Sequence, residues 1–357
     1  MQHNLIKWLY KAFTFIVLGI ALLGTTYASA ATDTKKPAIT LTPATTEPTN
    51  RSVKVTVKVN DASKLKKVKY RSGSRTESYF SKDGKVIYLN SSKEATVTIY
   101  KNDTYTFYAE DIYGNKTTKK LVISNIDKIA PILDYSLSKM EPTKNSINVY
   151  ISASDKESGV KEILYMEGSK NISDFNKESD AVKSVPRDEE GVGTIKVSKN
   201  GDYSVLVTDE AGNKTLEVIK VNNIDKTAPS LDLSYSVMNQ TATITYNTSD
   251  KSGIKRVLYV EGDMLNVNNP EWNTKGINIT DANEFKVDSD GVYTVLVQDM
   301  ADNKTAKLID IKLEFKAVWI SYLEFAEYGK GGFTKDSFEG AIDTMFDNVV
   351  DMNMNAV

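Results

Sequence analysis

Apolar and polar residues alternate along most of this chain with a period of two. In "SVKVTVKV" the valines 53, 55, 57 and 59 interleave with Ser52, Lys54, Thr56 and Lys58. "SINVYISA" repeats the pattern with Ile147, Val149, Ile151 and Ala153, and "TATITYN" with Ala242, Ile244 and Tyr246. Successive strand side chains point to opposite faces, so each run predicts a strand with one apolar and one wet face. Asn200-Gly201, Gly212-Asn213 and Asp290-Gly291 supply the turns between runs.

The strands recur as a unit. "YTFYAEDIYGNKT" from Tyr105, "YSVLVTDEAGNKT" from Tyr203 and "YTVLVQDMADNKT" from Tyr293 are copies of one segment. Upstream of them lie "DASKLKKVKY" from Asp61, "DKESGVKEILY" from Asp155 and "DKSGIKRVLY" from Asp250. The joints "NIDKIAP", ending at Pro131, and "NIDKTAP", ending at Pro229, match as well. The repeat is of domain size rather than solenoid size, and we place three modules at 31–127, 128–225 and 226–313. Roughly seven short alternating strands in each point to an immunoglobulin-like β-sandwich. Tyr105, Tyr203 and Tyr293 each follow a turn and open the strongest strand, where a sandwich places the corner tyrosine whose hydroxyl bonds back to the backbone. Two residues on, where antibody domains carry cysteine, stand Phe107, Val205 and Val295, so apolar packing is expected in place of a disulfide. On these motifs the modules resemble the tandem Ig-like repeats of Gram-positive surface proteins, a resemblance that identifies a fold and not a ligand.

Two segments break the pattern. At the start, Lys7 and Lys11 precede an apolar run, Phe13 to Gly24, and the small residues Ala28-Ser29-Ala30. This is the layout of a secretory signal peptide over 1–30, and a run of twelve residues is too short to span about 30 Å of hydrocarbon. After Ile311 the period changes. "AVWIS" (317–321) reads as a strand buried on both faces. A glycine-bearing loop follows, and Thr334 then caps a helix whose apolar face is Phe338, Ile342, Met345, Phe346 and Val349. "NAV" (355–357) reads as the next strand, completing a βαβ unit.

The run "VWISYLEF…F…MFDNVVDMNMNAV" is similar to the opening of the glycosyl-hydrolase-like domain of bacterial exported proteins, related to the family-ten glycosidases. That resemblance implies a (β/α)8 barrel beginning in 314–357 and stopping within it, and glycan substrates, peptidoglycan first among them. The fold class expected is thus mainly β: three tandem Ig-like sandwiches, then the first βα unit of an incomplete barrel. A barrel draws its catalytic groups from the ends of several strands, and a glycosidase needs two carboxyls at a set separation. Only the top of the first strand is present, so no catalytic residue is assigned; Glu324 and Tyr322 are the candidate substrate-binding residues.

Composition narrows the chemistry further. The 357 residues carry a formal charge of -2 and 40% hydrophobic residues, a balance that calls for no nucleic acid. There is no cysteine and one histidine, His3, which leaves with the leader. Disulfides, thiolate nucleophiles, Cys/His zinc sites and Ser-His-Asp catalysis are thereby excluded. The basic stretch 51–75 carries nine Lys or Arg against one Asp and offers a surface for anionic wall polymers, but it also reads as the solvated face of alternating strands, the reading adopted here. Tyrosines at strand positions are explained by packing; Tyr113, in a turn, is the least explained. Carboxylates gather at the module joints: Asp127 with Asp155, Glu157 and Asp209, and Asp225 with Asp250 and Asp299. They have the oxygen chemistry Ca²⁺ takes. Asp and Asn in such turns ordinarily bond their own backbone, and Lys156, Lys226 and Lys251 stand beside them, so neither a metal nor a cofactor is expected.

Two functions follow. The first is the front of a secreted, wall-associated glycoside hydrolase-like protein whose modules act as spacer or wall-binding arm. The alternative is a non-enzymatic surface adhesion or structural protein. Either is a monomer, extracellular or in the cell wall, with a wall glycan or other polysaccharide as partner and no membrane contact once the leader is removed.

Overall fold

The computed structural model describes residues 33–176, 178–313 and 334–351. The leader and the "AVWIS" and "NAV" segments fall outside this range, as do Tyr322 and Glu324.

Seven strands form each module. The first holds β1 (Ala38–Pro43), β2 (Val53–Asn60), β3 (Leu65–Ser72), β4 (Lys85–Val86), β5 (Glu94–Ile99), β6 (Asp103–Asp111) and β7 (Lys116–Ile123). The second holds β8 (Ile132–Leu137), β9 (Ile147–Ser154), β10 (Val160–Glu167), β11 (Lys183–Ser184), β12 (Val192–Val197), β13 (Gly201–Asp209) and β14 (Lys214–Val221). The third holds β15 (Ser230–Met238), β16 (Thr241–Ser249), β17 (Ile254–Glu261), β18 (Ile277–Asn278), β19 (Glu284–Val287), β20 (Gly291–Asp299) and β21 (Lys304–Ile311).

One topology is built three times. A three-stranded sheet, β1-β2-β5, faces a four-stranded one, β4-β3-β6-β7; the second module repeats this as β8-β9-β12 and β11-β10-β13-β14, the third as β15-β16-β19 and β18-β17-β20-β21. The ladders are antiparallel, with Val55 opposite Val97 and Tyr203 opposite Ile219. This is the Ig-like sandwich, and the chain is mainly β.

The cores follow the alternation. Val53, Val55, Val57 and Val59 are buried, as are Ile147, Val149, Ile151, Ala242, Ile244 and Tyr246. Phe107, Val205 and Val295 are each 0% exposed and fill the space between the sheets that a disulfide would cross. The central strands β6, β13 and β20 depart from simple alternation, because their outer faces are covered too. Short helical turns between the third and fourth strands of each module set Phe80, Phe175 and Trp272 there. Phe80 stacks on Tyr108 with centroids 5.1 Å apart. Phe175 packs with Leu206, and Trp272 with Leu296.

By packing, the chain divides into two compact units. Of the described residues, the first comprises 33–130 with 155–160 and 209–213; the second comprises the rest. Asp155 and Asp209, from the loops at one pole of the second module, thus pack in the same unit as Asp127. A helix, Lys335–Asp351, stands at the expected place, and the Ser337 amide donates to Thr334 Oγ1 at 3.3 Å, the N-cap bond expected of Thr334. Phe346 on this helix is 47% exposed and Ile342 is half-buried. The strands that would make a βα unit of this helix lie outside the described residues, and no barrel unit is shown.

Candidate functional site

Among the described residues, aspartates converge in three places. Asp33, Asp61 and Asp111 form one triad, Asp127, Asp155 and Asp209 a second, and Asp225, Asp250 and Asp299 a third. In each, one oxygen per carboxylate lies within 4.8 Å of the other two. The fold explains the grouping. Each triad takes one aspartate from the segment entering its module, one from the loop after the second strand, and one from the end of the sixth strand. These positions share a pole of an Ig-like sandwich.

Each position is fixed by local backbone bonds. Asp155 Oδ1 accepts the amides of Ser158 at 2.7 Å and Gly159 at 2.9 Å. Asp61 and Asp250 play the same part, each accepting from a serine amide two residues on, Ser63 and Ser252, at 2.7 Å. The sixth-strand aspartates are held by an asparagine four residues later. Asp209 Oδ1 accepts the Asn213 amide at 2.7 Å and Oδ2 accepts Asn213 Nδ2 at 2.8 Å. Asn115 binds Asp111, and Asn303 binds Asp299, in the same way. The same Nδ2 donates to the carbonyl of the entering aspartate: Asn115 to Asp33 at 2.8 Å, Asn213 to Asp127 at 3.2 Å, Asn303 to Asp225 at 3.1 Å. One asparagine per module therefore ties the entering segment to the end of the sixth strand.

The entering aspartate itself is only half used. Asp33, Asp127 and Asp225 each accept one amide at Oδ1, from Lys35, Ile129 and Thr227. The second oxygen, Oδ2, is buried in all three and has no hydrogen-bond partner. Asp127 as a whole is only 5% exposed, and Asp111, Asp209 and Asp299 are fully buried.

Three of the carboxyls are held below the usual aspartate range. For Asp111 and Asp155 burial pushes upward, but hydrogen bonds outweigh it, from Asn115 and Ser63 in one case and from Ser158 and Gly159 in the other. For Asp225 the Thr227 amide dominates. Accepting several N–H bonds favours the ionised form, and the hydrogen bonds win here because they are numerous and short.

The structure brings together Asp127 with Asp155 and Asp209, and Asp225 with Asp250 and Asp299, as expected. It leaves Glu157 outside: its amide donates to Asp155 Oδ1 at 3.2 Å and its side chain is exposed. The neighbouring lysines do not close the clusters. Lys226 Nζ donates to the Ser198 carbonyl at 2.9 Å, and Lys156 and Lys251 are exposed. The triad of the first module escaped the sequence reading because "TDTKKP" lacks the "NIDK" of the other joints. Its signal is the spacing Asp-x-x-x-Pro, shared by Asp33…Pro37, Asp127…Pro131 and Asp225…Pro229.

The basic stretch is a solvated, partly paired face. Lys58 meets Glu94 at 2.8 Å, Lys66 meets Glu110 at 2.9 Å, and Arg75 stands 4.7 Å over the Tyr79 ring. Tyr113 is 52% exposed in its turn. Tyr322 and Glu324, the candidate substrate-binding residues, lie outside the described residues.

No family model and no curated protein matches this chain. Solved structures similar to this chain include the following three. A tetra-tandem repeat from the extending region of a large adhesion protein is 15% identical, covering 78% of this chain and 75% of that one, with a TM-score of 0.26. A structure concerned with host cell surface retention of a 1.5-MDa bacterial ice-binding adhesin is 13% identical over 77% and 97%, with a TM-score of 0.38. The FN1–FN3 domains of chicken CNTN1 are 12% identical over 78% and 98%, with a TM-score of 0.28. At these scores none of them carries the functional argument, which rests on the residues above.

Proposed function

We propose that the described part of this chain is a non-enzymatic arm of an exported surface protein, its Ig-like modules serving adhesion or spacing. One observation carries the reading: the same sandwich, the same entering aspartate and the same asparagine tie are built three times, while the sixth-strand carboxylate of every triad is buried. A glycosidase needs two carboxyls flanking a cleft that a sugar can enter. Asp111, Asp209 and Asp299 are 0% exposed, so no sugar reaches them. The repeated investment is in how modules begin and join, which suits a mechanical or presenting role. The leader pattern of residues 1–30 supports export, and among the described residues no helix is long and apolar enough to cross a membrane.

The glycan-hydrolase reading keeps one observation of its own. The helix Lys335–Asp351, capped by Thr334, supports it. Under that reading Glu324 and Tyr322 line the sugar cleft and the modules are the arm that carries it.

Expression of the full chain in a Gram-positive host, followed by protease treatment of intact cells, tests the proposal. The modules are expected in the wall or medium, open to protease, and the purified chain is expected to release no reducing sugar from peptidoglycan. Retention in the cytosol overturns export. Sugar release that disappears in Glu324→Gln replaces the arm with the hydrolase.

A further inference from the structure

We propose that each aspartate triad is a calcium site, with the orphaned Oδ2 of the entering aspartate as a ligand. Asp127 shows the need for one. Its carboxylate is 5% exposed, its Oδ1 accepts the Ile129 amide at 2.9 Å, and its Oδ2 is buried with no hydrogen-bond partner. A buried carboxylate oxygen without a partner is costly, and native structures rarely leave one so. The nearest groups do not answer it, because they are acceptors too: oxygens of Asp155 and Asp209 lie within 4.8 Å. Hydrogen bonds from Asn213 and the Ser158 turn position those two carboxylates but neutralise neither. No lysine or arginine salt bridge reaches the triad among the described residues, so its carboxylates are left without a counter-charge. A cation held between them answers all of this at once.

The same defect recurs at Asp33 and Asp225, each with a buried, unpartnered Oδ2 in a matching triad. A turn-forming role alone explains Oδ1, which bonds the backbone in every copy. It does not explain why Oδ2 is left bare three times.

The donor set selects the metal. All the converging side-chain ligands are carboxylate oxygens, and the chain has no cysteine and only His3 among histidines, so a hard cation is favoured over zinc or copper. Ca²⁺ takes six to eight oxygens at about 2.3–2.6 Å in adaptable geometry, whereas Mg²⁺ demands a near-ideal octahedron and keeps several waters. Three carboxylates drawn together in a largely buried pole suit the first and crowd the second. Because the triad joins the entering segment to two loops of its module, the ion clamps that segment in place. This inference does not depend on where the protein resides or on its partner.

Calcium titration of the chelator-stripped, full-length chain by calorimetry, with thermal unfolding in CaCl₂ or in EGTA, tests the proposal. The expected result is three ions per chain, a midpoint raised by several degrees in CaCl₂, and Mg²⁺ at least tenfold weaker. Asp127→Asn is expected to bind two ions while keeping its circular dichroism spectrum in EGTA. Should that variant not fold, Asp33→Asn applies the same count to the first triad. Identical wild-type midpoints in CaCl₂ and EGTA with no heat of binding overturn the proposal, as does an unchanged stoichiometry in a folded Asp127→Asn.

Discussion

Tyr203 donates its hydroxyl to the Lys199 carbonyl at 2.9 Å, and Tyr105 does the same to Lys101 at 2.9 Å and Tyr293 to Ser289 at 3.2 Å. The ring fills the core, and the hydroxyl closes the turn that starts the sixth strand. Tyr203→Phe removes the bond and leaves the packing, so a loss of about 1 kcal/mol is expected, read from the urea midpoint. Asn213→Ala is expected to cost more, about 2 kcal/mol, because it strips hydrogen bonds from the buried Asp209 carboxylate and from the Asp127 carbonyl together. A cost for Asn213→Ala no larger than for Tyr203→Phe would mean the asparagine tie is dispensable. Asp302 shows a different balance. It sits at φ 69° where the other modules have Gly114 and Gly212, at φ 89° and 91°. It holds that conformation while pairing with Lys255 at 2.7 Å and accepting from Gln298 Nε2 at 2.8 Å. Asp302→Gly relieves the backbone and loses the pair, two effects of about 1 kcal/mol or less. Asp302→Ala loses the pair and keeps the strained backbone, so the glycine variant is expected to melt above the alanine one.

At the level of elements, the sixth strand is the spine of each module, buried on its inner face by the opposing sheet and on its outer face by a helical turn. Trp272 is 1% exposed, and its Nε1 donates to the Asn266 carbonyl at 3.1 Å. Trp272→Ala opens a cavity beside Leu258 and Leu296 and is expected to cost about 3–5 kcal/mol. Calorimetry should place that loss in the second compact unit and leave the first unchanged. The helix Lys335–Asp351 behaves otherwise. Phe346 on it remains 47% exposed. Deletion of residues 316–357 is expected to leave sandwich unfolding unchanged and to improve solubility; a cooperative drop in the third module's midpoint would contradict this.

For the molecule as a whole, the repeated triads predict its response to acid. Asp111, Asp155 and Asp225 have carboxyls held low in the folded chain, mainly because hydrogen bonds outweigh burial in the first two and because of the Thr227 amide in the third. A group with a depressed folded value adds stability above its unfolded value, about 3.9 for aspartate. That stability is lost as the pH falls through the folded value. With EGTA present, the urea midpoint is expected to fall steeply below about pH 4, in all three modules because each has such an aspartate. Asp155→Asn should flatten that acid limb for the second module. A limb of unchanged slope would detach Asp155 from the acid response.

The period-two runs, the corner tyrosines and the apolar residues Phe107, Val205 and Val295 were enough, read along the chain, to specify sandwiches and their number. Each of these signals is local, set by which neighbours along a strand share a face. The pole carrying Asp127, Asp155 and Asp209 was legible too, since the topology of a sandwich dictates which loops meet. Tertiary structure alone decided the rest. A four-residue helical turn has no period, so nothing along the chain marked Phe80 or Trp272 as the cover of the sixth strand. Asn213 reads as a turn residue, and its bond to the carbonyl of Asp127 spans 86 residues. Asp33 belongs to a triad through a spacing to proline rather than a matching motif. Above all, the bare Oδ2 of Asp127 exists only once backbone bonds have claimed Oδ1 and burial has removed water, because an unmet hydrogen bond is a property of a packed site.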